Sequence, residues 1–383
     1  MRKILYVTGI RSDFDVLFPA LKVLNEDPEV DLGLAVTGAH LSSTFGRSVE
    51  VIEAEGFKII EKIESLIHGD TRSAQLKGSA LQILGLTQVV ESWKPDLLLT
   101  LGDREESLVT AMTGTYLGVP VGHICGGDRS GNIDDMVRHS VSKLSQLHLV
   151  THEDSRNRLL RMGESDDRIH VVGNPALEKF VDTPDMTREE VFRSCNLDVG
   201  SQQQPLLVVL HHTSSWRQNS AREDAEEVLR AVRRDSHPCV VIYPNSDPGA
   251  QDVIKAIESE ESNGTFSVAR NLPREVFVNL LKQASCLVGN SSAGCLEAPF
   301  IELPVVNVGD RQRGRIHGQA FIDVDYCSED IYAAVRKACF DPSFRKLTQD
   351  SKYIYGDAKT SQKILNILKS QVIDERFCLK YFE

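Results

Sequence analysis

Residues 97–128 read LLLTLGDREESLVTAMTGTYLGVPVGHICGGD. The apolar run Leu97–Leu101 has strand length and no polar alternation, and it stops at Gly102-Asp103-Arg104. A helix-length stretch, Ser107–Leu117, follows, and a second run, Val119–Ile124, stops at Cys125-Gly126-Gly127-Asp128. Strand, helix and strand in this order make a βαβ unit, which places the two strands parallel in one sheet.

The same rhythm extends in both directions. Upstream lie Ile4–Thr8 and Val16–Asn25, Leu32–Thr37 and Arg47–Glu55, then Ala74–Trp93; downstream lie Asp134–Ser145, Leu147–Thr151 and Ile169–Val172. Gly173-Asn174-Pro175 is a turn signal after which the chain becomes polar, and the interdomain connection is expected there. A second series follows: Leu206–Leu210, Asp224–Arg233, Cys239–Tyr243, Ala250–Glu258, Phe266–Ala269, Glu275–Lys282, Cys286–Val288, Gly294–Phe300 and Pro304–Asn307. The expected architecture is α/β, with two Rossmann-like doubly wound domains facing a cleft: residues 1–173, residues 174–360, and a tail 361–383 whose helix Ser361–Lys369 crosses back to the first domain.

Composition agrees with two ordinary globular domains. The chain has 383 residues, 41% hydrophobic and 26% charged, which excludes a disordered or disulfide-stapled polypeptide. Its net charge of -12 leaves no basic field for a nucleic-acid groove. The eight cysteines are dispersed without a Cys-x-x-Cys pair, so they read as reduced thiols rather than as a zinc ribbon. The apolar run near the N-terminus is too short for a signal sequence or a membrane span, so a cytoplasmic protein is expected.

Open α/β sheets bind ligands at the C-terminal ends of their strands, and the informative motifs lie there. Thr8-Gly9-Ile10-Arg11 follows the first strand and is either an anion site or an ordinary βα turn. It is not a Gly-x-Gly-x-x-Gly dinucleotide fingerprint. Gly289-Asn290-Ser291-Ser292-Ala293-Gly294 opens a helix, so Ser291 and Ser292 offer hydroxyls and amides to a phosphate, or else simply cap that helix; Glu297 lies one turn on, within reach of a ribose hydroxyl. Asp103 with Arg104, and Asp128 beyond two glycines, place acids and a guanidinium at strand ends, while Asp134 and Asp135 either face a ligand or complement a helix dipole. His211-His212 ends the first strand of the second series, and Arg311-Gln312-Arg313-Gly314-Arg315 is either a solvated loop or a clamp on a phosphorylated ligand. No second ligand of suitable spacing accompanies the histidines, which disfavours a metal.

In order, Gly-x-Arg-x-Asp, Gly-Asp-Arg, His-Ile-x-Gly-Gly, Ile-Asp-Asp-x-x-Arg-His, Pro-Asn-x-Asp-x-Gly, Gly-Asn-Ser-Ser and Arg-Gln resemble the UDP-N-acetylglucosamine 2-epimerase family. More specifically, the chain resembles the hydrolysing branch, the sialic-acid-pathway enzymes and their relatives acting on bacillosamine derivatives; the match runs from Gly9 to about Asp357. In non-hydrolysing relatives the histidine is followed by Arg-Arg-Glu-Asn, whereas here Thr213-Ser214-Ser215-Trp216 follows His212. The resemblance implies a glycosyltransferase-B type fold, a UDP-sugar substrate, no cofactor, no metal, and a homodimer or homotetramer. It implies that Arg11, Ser291, Ser292 and Arg311 hold the diphosphate, Glu297 the ribose, and Leu272 with Phe277 the uracil. It sets His40, Arg104, Asp135, Arg138 and His139 on the sugar side, with Asp103, Asp134 and His212 in the chemistry. Departures are Ile10 for the usual Thr, Leu101 for a frequent His, and Cys125 for a glutamate proposed to move a proton. The last directs the search for the base to Asp103, Asp128 and Asp134.

The reaction so implied begins with loss of UDP, because C2–H is poorly acidic until an oxocarbenium develops at C1. A 2-acetamidoglycal forms, water adds with inversion at C2, and free N-acetylmannosamine or its diacetamido analogue leaves. Rival readings are a glycosyltransferase, which needs an acceptor, and a non-hydrolysing epimerase, which returns the nucleotide sugar.

Overall fold

The computed structural model describes all residues except 68, 70, 131–132, 215–216, 246, 262–265 and 381–383, so Ser215 and Trp216 lie outside the described residues. The chain divides into two compact units. One comprises Met1–Arg129, Ile133–Glu178 and Gly356–Glu383; the other is built on Lys179–Tyr355.

The first unit holds a seven-stranded sheet of β1 (Arg2–Thr8), β2 (Val30–Thr37), β3 (Ile59–Ile63), β4 (Leu97–Leu101), β5 (Val121–Ile124), β6 (Leu147–Val150) and β7 (Ile169–Val171). Their spatial order is β3-β2-β1-β4-β5-β6-β7 and every pairing is parallel. The second unit holds β8 (Leu207–Leu210), β9 (Cys239–Ile242), β10 (Ser267–Ala269), β11 (Cys286–Gly289), β12 (Val305–Val308) and β13 (Phe321–Val324), ordered β10-β9-β8-β11-β12-β13 and again all parallel. Both are doubly wound sheets, with switch points between β1 and β4 and between β8 and β11.

The continuous apolar runs follow from burial of both sheet faces. Ile4, Tyr6, Leu97, Leu99 and Leu101 join a cluster with Leu17, Leu21 and Leu24 of the helix Arg11–Glu26. Leu5, Val7 and Leu98 point the other way, toward Leu86, Val89 and Val90 of the helix Arg72–Trp93. In the second unit Val209, Val241 and Val288 share one face while Val208, Val240 and Leu287 share the other. Each large aliphatic side chain so covered contributes roughly 1.5–3 kcal/mol.

Three bounds differ from those expected. The first unit runs past Gly173 to Glu178, because Asn174 Oδ1 accepts from the Ala176 amide at 3.0 Å and Glu178 accepts from the Ser361 amide at 2.6 Å. The chain rejoins it at Gly356 rather than at Ser361, with Thr360 Oγ1 donating to the Val172 carbonyl at 3.0 Å. The helix expected over Gly294–Phe300 spans only Ala293–Leu296, since Pro299 disfavours helical backbone at the residue before it and lacks an amide to continue the ladder. Among the described residues no helix is long and apolar enough to cross a membrane.

Candidate active site

In the first unit the expected residues collect at the ends of β1, β2, β4 and β5. Arg11 opens the helix after β1, and its Nε donates to Asp15 Oδ2 at 3.1 Å. The cap residue of this helix is Ile10, whose side chain can satisfy none of the first amides. Gly9 is required here: a Cβ at this position would lie 2.1 Å from Glu106 Oε1. Glu106 is buried, its Oε2 3.2 Å from Arg104 Nε. Burial, with Glu105 adding to it and Arg104 opposing, pushes its carboxyl up to about 7. Sequence reasoning missed Glu106, which taken alone reads as a dipole-favouring acid in the first turn of the helix Glu105–Leu117.

Arg138 binds two of the expected acids. It is 2% exposed; Nη1 donates to Asp135 Oδ1 at 2.8 Å and Nη2 to Asp103 Oδ2, so one guanidinium ties the end of β4 to the first turn of the helix Ile133–Leu144. Asp134 lies in the same first turn, and His139 follows on that helix with its imidazole held below its usual range by burial, Asp135 opposing. His123 Nε2 donates to the Gly102 carbonyl at 2.7 Å, and its Nδ1 lies 3.1 Å from Ser142 Oγ. Burial pushes this ring down to about 3, so a neutral His123 fixes the loop that carries Asp103. Asp128 Oδ1 lies 3.4 Å from His152 Nε2. Cys125 sits between these motifs with a left-handed backbone, φ 61°.

His40, expected on the sugar side, is fully buried, with Nε2 2.9 Å from Thr8 Oγ1 and Nδ1 2.7 Å from Ser48 Oγ. Both ring nitrogens are thus engaged inside the protein, and the residue ties the end of β1 to the segment after β2.

In the second unit His212 follows β8 and Ser291 and Ser292 follow β11, so they share a switch point. Asn245 donates its amide to His212 Nδ1 at 3.2 Å, which leaves the ring proton on Nε2. Burial, then Arg311, push His212 down to about 3, so it is a neutral donor at physiological pH. Ser291 and Ser292 are half-buried; Ser291 Oγ accepts from the Ala293 amide at 3.4 Å, while Ser292 makes no side-chain cap bond. With only four helical residues behind them, these serines would meet an anion through amides and hydroxyls more than through a macrodipole. Arg311 Nη1 donates to the Asn290 carbonyl at 3.1 Å, and Gln312 Nε2 donates to the same oxygen at 2.8 Å. The arginine loop is therefore tied to the serine turn rather than loose in solvent. Glu297 pairs with Lys179 at 2.6 Å, both nearly buried, and the Lys179 ammonium lies 5.2 Å from the Phe277 ring centre. Leu272 is buried just before the helix Arg274–Gln283 that carries Phe277. Lys179 was missed because an isolated lysine beyond a turn gives no signal in sequence.

Each unit is thus a doubly wound sheet with polar side chains gathered at the strand ends beside its switch point. The UDP-N-acetylglucosamine 2-epimerase of Neisseria meningitidis, solved with bound UDP-N-acetylglucosamine, superposes with a TM-score of 0.77 over 96% of this chain and 100% of that one, at 19% identity, a likeness of fold. The family model described as UDP-N-acetylglucosamine 2-epimerase matches residues 22–369. The UDP-N,N'-diacetylbacillosamine 2-epimerase (hydrolyzing) of Legionella pneumophila is 34% identical over 97% of this chain and 96% of its own length. A UDP-N-acetylglucosamine 2-epimerase of Neisseria meningitidis is 33% identical over 94% and 93%. The chain belongs to the UDP-N-acetylglucosamine 2-epimerase family.

Proposed function

We propose that this chain is a hydrolysing 2-epimerase that converts UDP-N-acetylglucosamine into UDP and N-acetylmannosamine. The observation that carries the reading is the β8/β11 switch point, where a neutral His212 Nε2–H donor, Arg311 and the Ser291-Ser292 turn are held together in a chain of this family. Those groups suit a departing diphosphate, the largest charge change on the path, and each good contact of this kind is worth roughly 2.7–4 kcal/mol in transition-state stabilisation. Arg11 adds a further cation, Glu297 takes the ribose hydroxyls, and Leu272 with Phe277 takes the uracil.

As the C1–O bond breaks, the C2 proton becomes acidic and a carboxylate removes it, giving the 2-acetamidoglycal and UDP. Asp103, Asp134 and Asp128 are the proposed carboxylates. Asp103 is paired with the Arg138 guanidinium, which holds its carboxylate in place at the end of β4. Arg104, Asp135, Arg138 and His139 shape the sugar side, with His40 supporting them from behind. Water then adds at C1 and a proton reaches the opposite face of C2, so UDP is not re-attached.

A second reading, the same chemistry on UDP-N,N'-diacetylbacillosamine, is favoured by the likeness to the UDP-N,N'-diacetylbacillosamine 2-epimerase (hydrolyzing) of Legionella pneumophila. We place the enzyme in the cytoplasm as a homo-oligomer; the exposed side chains of Leu76, Leu84, Tyr116 and Met136 on the helices after β3, β4 and β5 offer apolar surface for self-association.

Nuclear magnetic resonance in deuterated water, with either sugar nucleotide as substrate, tests the reading. Free UDP and a C2-inverted free sugar carrying deuterium at C2 are expected. Return of the epimerised nucleotide sugar, or turnover only after an acceptor is added, rejects hydrolysis as the reaction, and the better substrate decides between the two sugars.

A further inference from the structure

Asn290 is fully buried where β11 ends, and its side chain grips the backbone of one residue, His212, just past the neighbouring strand end. Oδ1 accepts from the His212 amide at 2.7 Å and Nδ2 donates to the His212 carbonyl at 2.8 Å. The Asn290 amide itself donates to the Leu210 carbonyl at 3.1 Å. Its carbonyl receives Arg311 Nη1 at 3.1 Å and Gln312 Nε2 at 2.8 Å. Three strand ends, those of β8, β11 and β12, are thus connected through one residue that is neither charged nor exposed. The two-point bond to His212 continues the β8–β11 ladder beyond its last backbone pairing, Gly289 with Leu210.

We propose that Asn290 is a positioning residue that sets His212 and Arg311 in register for a nucleoside diphosphate leaving group, an inference that rests on the function proposed above. An amide is the only common side chain of this length that offers an acceptor and a donor side by side in the neutral state. Removing it takes their side-chain partner from the buried amide and carbonyl of His212 and lets the imidazole and the guanidinium shift independently.

Asn290→Ala and Asn290→Asp separate positioning from general support. A protonated aspartic acid has the shape and the donor–acceptor order of asparagine, whereas an ionised one presents two acceptors to a carbonyl. The groups facing position 290 are His211 and His212 from the end of β8, Arg311 and Gln312 from the loop after β12, and Tyr326 beyond β13, with Asp247 near Arg311 and His212. Burial, then Arg311, hold both imidazoles well below their usual range, so neither titrates between pH 5.5 and 8.

Asn290→Ala is expected to lower kcat/KM and UDP affinity by about tenfold or more, with folding retained. Asn290→Asp should match it at pH 8 and recover relative to it as the pH falls toward 5.5. Normal UDP binding by the alanine variant, or an aspartate variant that follows the alanine variant at every pH, overturns the proposal. Hydrogen exchange at the His212 amide reads the grip without ligand: protection should fall in Asn290→Ala, and unchanged protection also overturns it. A wild-type enzyme that neither binds UDP nor consumes UDP-sugars rejects the proposed function instead, and leaves the grip to be decided by that exchange.

Discussion

Glu106 shows how one buried carboxyl can be set by its surroundings. The glycine at position 9 makes room for it, Arg104 accompanies it, and burial still prevails in raising it to about 7. The folded protein therefore keeps a proton that the unfolded chain releases near the usual glutamate range. The resulting stability is complete below about pH 4.5 and is lost as pH rises toward 7. Glu106→Gln removes that dependence: urea unfolding at pH 5 and pH 8 should show the difference between the two pH values shrink by on the order of 2 kcal/mol relative to wild type. An unchanged pH slope would mean that Glu106 is ionised throughout. None of this is visible in the stretch Gly102–Leu108, because residues remote in sequence, Gly9 and Gly38 among them, lie against the Glu106 carboxyl.

At the level of elements, the close approach of β8 and β11 is what brings His212 to the serine turn. Gly289 makes it possible: its φ is +131°, and a Cβ there would lie 2.1 Å from the Leu210 carbonyl oxygen. Gly289→Ala must push the strand ends apart, and a loss of more than about 2 kcal/mol of unfolding free energy is expected from denaturant titration, together with weakened UDP binding. The central strands were legible as apolar runs because both their faces are covered. The edge strands β3 and β13 were not, since Glu61, Lys62 and Asp323 interrupt them where one side meets water. The helix over Ala293–Leu296 was expected to be longer because periodicity continued through Pro299, whose missing amide decides the matter.

Over the whole molecule, the first unit is assembled from distant parts of the chain, whereas the second rests mainly on one long stretch, Lys179–Tyr355. The helix Thr360–Ser370 places Ile364, Leu365 and Leu368 in the same cluster as Leu17, Leu21 and Leu24, and Phe377 joins them. Beyond it, Lys380 reaches the buried Glu164 at 2.5 Å, alongside Lys143 and His148. A chain ending at Tyr355 forfeits the burial of those four apolar side chains, about 6–12 kcal/mol, which is comparable with the whole stability of a domain. Calorimetry of that truncated chain should lack the transition of the first unit, while limited proteolysis should leave a resistant fragment close to Lys179–Tyr355. Two intact transitions would show that the returning helix is dispensable.

The sequence by itself determined the two parallel-sheet units and the strand ends where chemistry could reside. Apolar runs, helical spacing and Gly-bearing turns are local properties, and the ordered motifs were enough to place the family. Only the tertiary structure decided which of those groups meet: that Arg138 binds Asp103 and Asp135, that His40 is enclosed, that Glu106 is desolvated, and that Asn290 grips His212. Apart from Arg138 and Asp135, which are neighbours on one helix, these pairings join residues tens of positions apart. They depend on how the strands are ordered in each sheet, and no local pattern along the chain encodes the distance between one strand end and its neighbour.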